Sequence, residues 1–479
     1  MFEQKQSEPW YKSRAVIIGA VMIAVFVLAA VVYWRFRGET NEEHYAALEQ
    51  HRQQQAAQAP PAPTATAAPV AEASPGASPT QQTAAAPTSG SGRNYWTNFR
   101  GPKRDGNYEA TPVLTSWPAS GLTPIWKQPV GLGYGSFSVA DGRAYTIEQR
   151  RGQEVVAAYD VATGRELWTQ RWNAEYSPRD DTGDGPRSTP TWDEGRLYAL
   201  GGTGELRCLD ANTGAVIWGR NILSDNQAPN LQWGVAGSPL IVDDKVIVLP
   251  GGANNKSVVA YNKITGAPVW KSLSDQQAYV SPMLVELAGR RQIIIVSASR
   301  VHGLVPETGA PLWSYPWDTS MGINVSQPII VDKNRFFISS GYGKGAALVE
   351  VKGSGQSFTA TKVWENINMK NKFNSSVLYN GYVYGLDEGI LTCLDVNTGD
   401  RKWKGGRYGY GQVLVAGGNL IVTSDSGDLA LVKASPDQYT EVARFSALQG
   451  KTWNYPAIAD GRLLLRNANE MAAYDISRK

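Results

Sequence analysis

The residues with the clearest potential for chemistry lie in one acidic loop, residues 179–185, with the sequence Arg-Asp-Asp-Thr-Gly-Asp-Gly. The spacing of Asp180, Thr182 and Asp184 partly matches a calcium loop, in which alternate residues supply oxygen ligands and a glycine makes the sharp turn. Such a loop ends on a glutamate that binds the ion through both oxygens, and Thr191 stands at that position. The pattern therefore favours a solvated polar loop over a calcium site.

Sulfur and imidazole ligands are scarce in this sequence. There are two cysteines, Cys208 and Cys393, and three histidines, His44, His51 and His302. No Cys-x-x-Cys-His motif for haem attachment, no zinc-type cluster, no nucleophile elbow and no phosphate loop occurs. We expect both cysteines to be small buried apolar residues, and His302 to be a strand residue and not a ligand.

These residues are positioned by a repeat. The segment 159–168, Tyr-Asp-Val-Ala-Thr-Gly-Arg-Glu-Leu-Trp, recurs at 209–218, 261–270, 304–313 and 394–403, with tryptophan always four residues after glycine. The Asp/Asn-x-x-Thr-Gly part is turn chemistry between two strands. A small residue always stands five positions before the threonine, namely Ala158, Cys208, Ala260, Gly303 or Cys393. This constant pair of a small residue and a tryptophan predicts a slot for the indole ring.

A second apolar hairpin precedes each copy, as at 189–198 and 238–248, so one repeat comprises four antiparallel strands. Repeats of this kind are typical of propeller blades. The last segment, 453–477, has three strands, whereas the strand around Trp126 has no blade in front of it. Pairing these two segments closes a ring of eight blades. One copy is degenerate, and Phe445 is predicted to stand there in the place of the tryptophan. The tryptophans predicted to dock between blades are Trp126, Trp168, Trp218, Trp270, Trp313, Trp364 and Trp403.

The chain before the propeller differs in composition. Residues 1–14 are polar, and we expect them to form an N-terminal cytoplasmic segment. Residues 15–34 include an uncharged apolar run up to Tyr33, which predicts one transmembrane helix acting as an uncleaved signal anchor. Residues 35–92 form an Ala/Pro/Thr-rich linker that we expect to be disordered, apart from a short solvated helix at 39–58. The propeller occupies 93–479. A net charge of +3 without a basic run gives no sign of nucleic-acid binding.

The repeat resembles the tryptophan-docking repeat of the pyrroloquinoline quinone (PQQ) type β-propellers, and the segment 96–106 is similar to the opening of bacterial members. The resemblance implies one of two functions. Quinoprotein dehydrogenases are enzymes that hold PQQ and calcium at the ring axis, typically below a pair of adjacent cysteines, which this chain lacks. The outer-membrane assembly factor BamB is a non-enzymatic member that binds proteins.

We therefore expect an all-β, eight-bladed, PQQ-like propeller held at a bacterial inner membrane through residues 15–34 and facing the periplasm. Its predicted function is a non-catalytic scaffold without a cofactor, possible partners being the β-barrel assembly machinery. A PQQ-dependent dehydrogenase and a polysaccharide or small-ligand binder are the alternatives. The predicted contact residues lie in loops that precede the inner strands: Arg187, Trp233, Tyr279, Lys372, Phe373, Tyr408, Tyr410 and Trp453. Aromatic residues and arginine are common anchors in protein interfaces.

Overall fold

The computed structural model describes residues 10–58, 95–178, 180, 182–355 and 357–478. One helix, Trp10–Gln58, occupies the first of these ranges, where side chains are described at 17–25 and 41–57. This helix includes the short helix predicted at 39–58. It also covers residues 35–38, so the helical part of the predicted linker is longer than expected. The rest of that linker, 59–92, lies outside the described residues.

The predicted transmembrane segment, 15–34, falls mostly on residues whose side chains are not described. Among the residues that are described, no helix has both the length and the apolar composition needed to cross a bilayer. Membrane anchoring and a periplasmic location stay predictions.

The described strands from Asn107 onward form eight sheets arranged as blades. Blade 1 consists of Ser138–Ala140, Arg143–Arg150, Gln153–Asp160 and Glu166–Asn173; blade 2 of Thr191–Asp193, Arg196–Leu200, Glu205–Asp210 and Val216–Asn221; blade 3 of Leu240–Val242, Lys245–Val248, Val258–Asn262 and Pro268–Ser272; and blade 4 of Met283–Leu287, Arg290–Val296, Arg300–Leu304 and Pro311–Pro316. Blade 5 consists of Ile329–Ile330, Arg335–Ser340, Gly345–Ser354 and Ser357–Asn366; blade 6 of Val377–Tyr379, Tyr382–Asp387, Ile390–Asp395 and Arg401–Arg407; blade 7 of Gln412–Ala416, Asn419–Thr423, Asp428–Lys433 and Glu441–Ser446; and blade 8 of Ala457–Ala459, Arg462–Arg466, Glu470–Asp475 and Pro124–Pro129. A short helix, Ile222–Asn226, follows blade 2. The prediction of an all-β, eight-bladed propeller is confirmed.

The ring closes as the strand count predicted. Pro124–Pro129 pairs antiparallel with Glu470–Asp475 and supplies the outer strand of blade 8. One further strand, Asn107–Tyr108, was not predicted; it pairs in parallel with the inner strand of blade 7 and makes that sheet five-stranded. Apolar cores lie between neighbouring blades, as where Cys208 of blade 2 and Val259 of blade 3 belong to one buried cluster.

The geometry that the repeats share explains why most of them carry a tryptophan at the same position. Trp168 lies directly opposite Ala158 across the hairpin, and its indole ring packs on Gly214 in the Thr-Gly turn of the next blade. A Cβ atom at Gly214 would collide with the ring, and the positive φ of this residue (75°) also favours glycine. The indole Nε1 donates to the carbonyl oxygen of Ala211 at 3.1 Å. Equivalent hydrogen bonds to the next blade are made by Trp126, Trp218, Trp270, Trp364 and Trp403.

Two positions depart from the predicted docking pattern. Trp313 is buried and donates to Oε1 of Gln292 in its own blade at 2.6 Å, because blade 5 has a longer outer hairpin and no Thr-Gly turn to receive it. In blade 7, Ala443 occupies the tryptophan position opposite Leu431, and Phe445 stands two residues later. The ring of Phe445 instead packs against Tyr474 of blade 8, at a centroid distance of 5.7 Å.

A buried glutamate joins blades 1 and 2 and should make stability depend on pH. Glu154 is fully buried and accepts hydrogen bonds from the backbone N–H of Gly202 (2.7 Å) and Nε1 of Trp172 (3.0 Å). Burial raises its pKa to about 7 from the ordinary value of 4.5. The protonated form is thus favoured by folding, so this contribution is complete below about pH 4.5 and is lost as the pH rises through about 7.

We expect the free energy of unfolding of the wild type to fall between about pH 4.5 and pH 8 by at most about 3 kcal/mol more than that of Glu154→Gln. Urea unfolding of both proteins across this pH range measures the difference. If the two proteins follow parallel pH profiles, Glu154 does not titrate in this way.

Candidate functional site

A cavity of about 130 Å³ opens at the ring axis, on the face formed by the loops that precede the inner strands. Among its described lining residues, seven are aromatic and one, Arg187, is charged. The lining residues are Phe99, Tyr134, Thr182, Arg187, Trp233, Ala236, Tyr279, Ser281, Ile323, Val325, Phe373, Trp453 and Tyr455. We call this cavity the axial pocket.

The structure brings most of the predicted contact residues together here. Five of them, Arg187, Trp233, Tyr279, Phe373 and Trp453, line the axial pocket and come from loops of different blades. Two more lie beside it. The ring of Tyr410 packs 5.0 Å from that of Phe373, and the Lys372 ammonium lies 5.0 Å from the Tyr410 ring centroid.

Tyr408 does not belong to this group, so its prediction as an exposed contact residue is wrong. Its side chain is buried at the junction of blades 6 and 7. The hydroxyl donates to Oε2 of Glu441 at 2.5 Å and lies 2.8 Å from the hydroxyl of Tyr439, while the Arg444 guanidinium covers the ring. Its position just before an inner strand suggested exposure, but Gly409 and Gly411 turn the chain so that Tyr410 reaches the pocket face instead.

Arg187 is half-buried and organises one wall of the pocket. Its guanidinium donates to the carbonyl oxygens of Gly185 (3.0 Å) and Gly183 (3.1 Å) and lies over the rings of Tyr134 and Tyr176. Burial lowers the pKa of this guanidinium from its ordinary value. This wall of the pocket therefore carries a positive charge. The N–H groups of the same guanidinium hold the acidic loop in place through its carbonyl oxygens.

The same loop is joined to the loop after blade 2. Oδ2 of Asp180 accepts hydrogen bonds from Nε1 of Trp233 (2.8 Å) and Nε2 of Gln232 (3.4 Å), and its Oδ1 accepts from Thr182. Asp184 is buried. The carboxylate of Asp180 in the acidic loop therefore orients Trp233. Two other residues of this loop, Arg179 and Asp181, lie outside the described residues.

A belt of hydrogen bonds joins adjacent blades at the base of the pocket. The backbone N–H of Thr189 donates to Oγ of Ser238 (2.8 Å), and the N–H of Ser238 donates to Oγ of Ser281 (2.9 Å). The belt continues from Ser281 to Gln327 (2.8 Å) and from Gln327 to Ser375 (2.9 Å). The Ser-Pro and Gln-Pro pairs that begin the inner strands therefore fix the spacing of the blades around the pocket.

The other end of the ring is closed by residues 96–108, which we call the plug. Trp96 pairs with Val139 of blade 1, and the plug ends on the added strand at blade 7. Between these points, the Arg104 guanidinium donates to the carbonyl oxygens of Ser238 (3.1 Å), Pro239 and Pro282 (2.9 Å), in blades 3 and 4. The plug therefore crosses the ring axis, and its Phe99 lines the axial pocket from below.

Sequence reasoning missed several lining residues. Tyr134 precedes Ser136 much as Arg187 precedes Thr189, so alignment of the inner-strand loops could have found it. Tyr455 lies inside a predicted loop but was not selected. Phe99 carried no signal, because its place in the pocket depends on the plug crossing the ring.

The cysteines and His302 occupy structural positions. Cys208 and Cys393 are buried free thiols in blades 2 and 6, and burial raises their pKa to about 11 and about 12. His302 is a buried strand residue whose Nε2 lies 2.6 Å from Oδ2 of Asp275; burial lowers its pKa, against the effect of that carboxylate. None of these three residues lines the axial pocket.

The described lining fits PQQ with calcium poorly. Calcium takes six to eight oxygen ligands, usually including carboxylates, whereas the described lining supplies hydroxyls, a guanidinium and no carboxylate. Across the described residues there is also no group of three His, Cys, Asp or Glu side chains that could hold a metal ion. We derive no chemical step through this cofactor.

Comparisons with known proteins point to both functional branches. The chain is 23% identical over 291 residues to the outer membrane protein assembly factor BamB of Yersinia pestis, covering 58% of this chain and 71% of that protein. It is 29% identical over 144 residues to the quinohaemoprotein alcohol dehydrogenase ADH-IIG of Pseudomonas putida, covering 28% of this chain and 18% of the enzyme. The match thus spans about a fifth of the length of the first dehydrogenases found.

Solved structures share the fold. BamB from Moraxella catarrhalis matches with a TM-score of 0.52 at 19% identity, covering 74% of this chain and 99% of that one. The quinohaemoprotein alcohol dehydrogenase from Comamonas testosteroni matches with a TM-score of 0.56 at 14% identity, covering 81% of each chain.

The ring of eight blades joined by docked tryptophans defines a PQQ-like β-propeller. The family profile described as outer membrane protein assembly factor BamB matches residues 151–405, which is more than half of the sequence. The chain belongs to this family.

Proposed function

We propose that the chain is a non-catalytic, membrane-anchored periplasmic scaffold that binds protein partners through its loop face, within outer-membrane protein assembly. The observation that carries the proposal is the convergence of five predicted contact residues on one axial pocket. Membership of the BamB family and the similarity to BamB of Yersinia pestis support it. Half-buried aromatic rings around a central pocket are typical of protein-interface anchors.

Co-purification of tagged full-length protein tests the proposal. We expect β-barrel assembly subunits to co-purify with the wild type and to be lost with Arg187→Glu, since charge reversal changes the pocket wall. Lys372→Glu reverses charge beside the pocket without removing the carbonyl contacts of the acidic loop, so it guards against local misfolding. Arg171→Glu, on the exposed outer strand of blade 1, is the matched control and should bind normally.

The result that contradicts the scaffold is retention of all partners by both pocket variants, or recovery of none by the wild type. A PQQ-dependent dehydrogenase is the second candidate, favoured by the similarity to quinohaemoprotein alcohol dehydrogenases. Dye-linked alcohol oxidation by purified protein supplied with PQQ and calcium would establish that function in place of the scaffold.

A further inference from the structure

We propose that the axial pocket receives one aromatic side chain of a protein partner, presented on a segment with acidic residues on both sides. This inference rests on the proposed scaffold function and specifies the chemistry of its partner. It follows from the closure, the lining and the charge of the pocket.

The pocket is open at one end only. Phe99 of the plug and Tyr455 of blade 8 pack edge to face at 4.9 Å below it, and the Arg100 guanidinium covers the Tyr455 ring at 5.2 Å. An extended chain cannot thread through the ring past these residues. What enters must therefore end inside the pocket, as a side chain does.

The walls match an aromatic group. Trp233 and Tyr279 pack with ring centroids 5.4 Å apart on one side, and Phe373 and Trp453 pack 5.1 Å apart on the other. All four rings are half-buried, so part of each remains available to a ligand. An inserted ring would gain offset or edge-to-face contacts in addition to the burial of its own area.

Most polar groups in the lining already have partners, so few could bind a sugar. The lining hydroxyls belong to Thr182, Ser281, Tyr134, Tyr279 and Tyr455. Oγ of Ser281 accepts from the N–H of Ser238, Thr182 donates to Oδ1 of Asp180, and Tyr455 donates to Oγ of Ser375. The Arg187 guanidinium already donates to Gly183 and Gly185. A sugar buried here would leave most of its hydroxyls without partners, at a cost of about 1–3 kcal/mol each, whereas an aromatic side chain needs none.

Charge selects the flanking residues. Arg187 is the charged residue among the described lining. Lys372 lies beside the pocket, from the loop between blades 5 and 6, within a cage formed by the rings of Tyr342, Phe373 and Tyr410. Two described carboxylates near this rim already accept hydrogen bonds: Asp180 from Trp233 and Gln232, and Asp425 from the backbone N–H of Tyr410. Acidic residues on each side of the inserted ring would face the cations of Arg187 and Lys372. Acidic flanking residues are therefore favoured over lysine.

Titration of the purified full-length protein with short peptides tests the inference. The probes are acetyl-Asp-Trp-Asp-amide, the same peptide with alanine at the centre, and the same peptide with lysine in place of both aspartates. NMR of the acetyl methyl signal reports binding of each. We expect the alanine and lysine peptides to bind at least tenfold more weakly than the first.

Two variants locate the binding. Ala236→Phe fills the pocket and should abolish binding of acetyl-Asp-Trp-Asp-amide, whereas Val363→Phe, on the exposed outer strand of blade 5, should leave it unchanged. Lys372→Glu should shift the preference toward the lysine peptide, a reversal that misfolding would not produce.

Equal binding of the tryptophan and alanine peptides, or full binding by Ala236→Phe, overturns the inference. So does binding of maltohexaose in place of the peptides, which would assign the pocket to glycans. If Ala236→Phe still co-purifies with the partners that Arg187→Glu loses, the scaffold function stands and only the inserted side chain is excluded.

Discussion

Replacing Arg104 by methionine is expected to lower the free energy of unfolding by about 3 kcal/mol or more. The side chain is buried, and burial lowers its pKa to about 9, which shows that holding the charge inside the ring is itself costly. This guanidinium donates to three backbone carbonyl oxygens at the start of blades 3 and 4. The oxygen of Pro239 also accepts from Oγ1 of Thr191 at 2.6 Å, whereas Arg104 is the described donor to the oxygens of Ser238 and Pro282. Leaving the Ser238 and Pro282 oxygens unpaired costs about 1–3 kcal/mol each, and we expect this loss to exceed the relief from removing the charge.

Urea unfolding followed by tryptophan fluorescence measures the effect of Arg104→Met. Lys103→Met is the matched control, because the neighbouring side chain is 76% exposed and lies 3.9 Å from Glu109; it should change stability by less than about 0.5 kcal/mol. A methionine variant as stable as the wild type would show that the plug does not hold the blades together.

Replacing Trp168 by alanine is expected to cost about 2–4 kcal/mol, somewhat below the range for a fully buried tryptophan, because this ring is half-buried. The change removes the contact with Gly214, the hydrogen bond to the Ala211 carbonyl and the packing against Tyr145, at a centroid distance of 6.0 Å. The loss acts between blades 1 and 2, where the ring bridges two sheets.

The midpoint of thermal or urea unfolding reports the effect of Trp168→Ala. Ile217→Ala serves as the control, since this side chain is 45% exposed on the outer strand of blade 2, next to the equivalent Trp218. The docking account is wrong if the two variants shift the midpoint equally.

Much of the fold could be predicted because the repeat encodes it locally. The turn, the small residue and the tryptophan of a blade lie within about fifteen residues, so their spacing in sequence fixes their geometry. The exceptions depend on a neighbouring blade: Trp313 lacks a turn to dock on, and Phe445 reaches blade 8 from a shifted position. Neither effect is visible within a single copy.

The site was predicted only where loop position determined exposure. Loops before the inner strands converge on the axis, so residues such as Trp233 and Trp453 met in the axial pocket. The prediction of Tyr408 as a contact residue was wrong because the neighbouring glycines redirect the chain and its side chain is buried. Phe99 was missed because only closure of the ring brings the plug below the pocket. Contacts between residues distant in sequence leave no local pattern.

Closure of blade 8 by strands from opposite ends of the propeller has a consequence during synthesis. Pro124–Pro129 emerges from the ribosome long before its partner Glu470–Asp475, so the growing chain carries unpaired sheet edges until its last blade is made. Such edges are templates for wrong pairing between chains. A nascent propeller of this kind therefore depends on chaperones or on rapid completion until the final strand is in place.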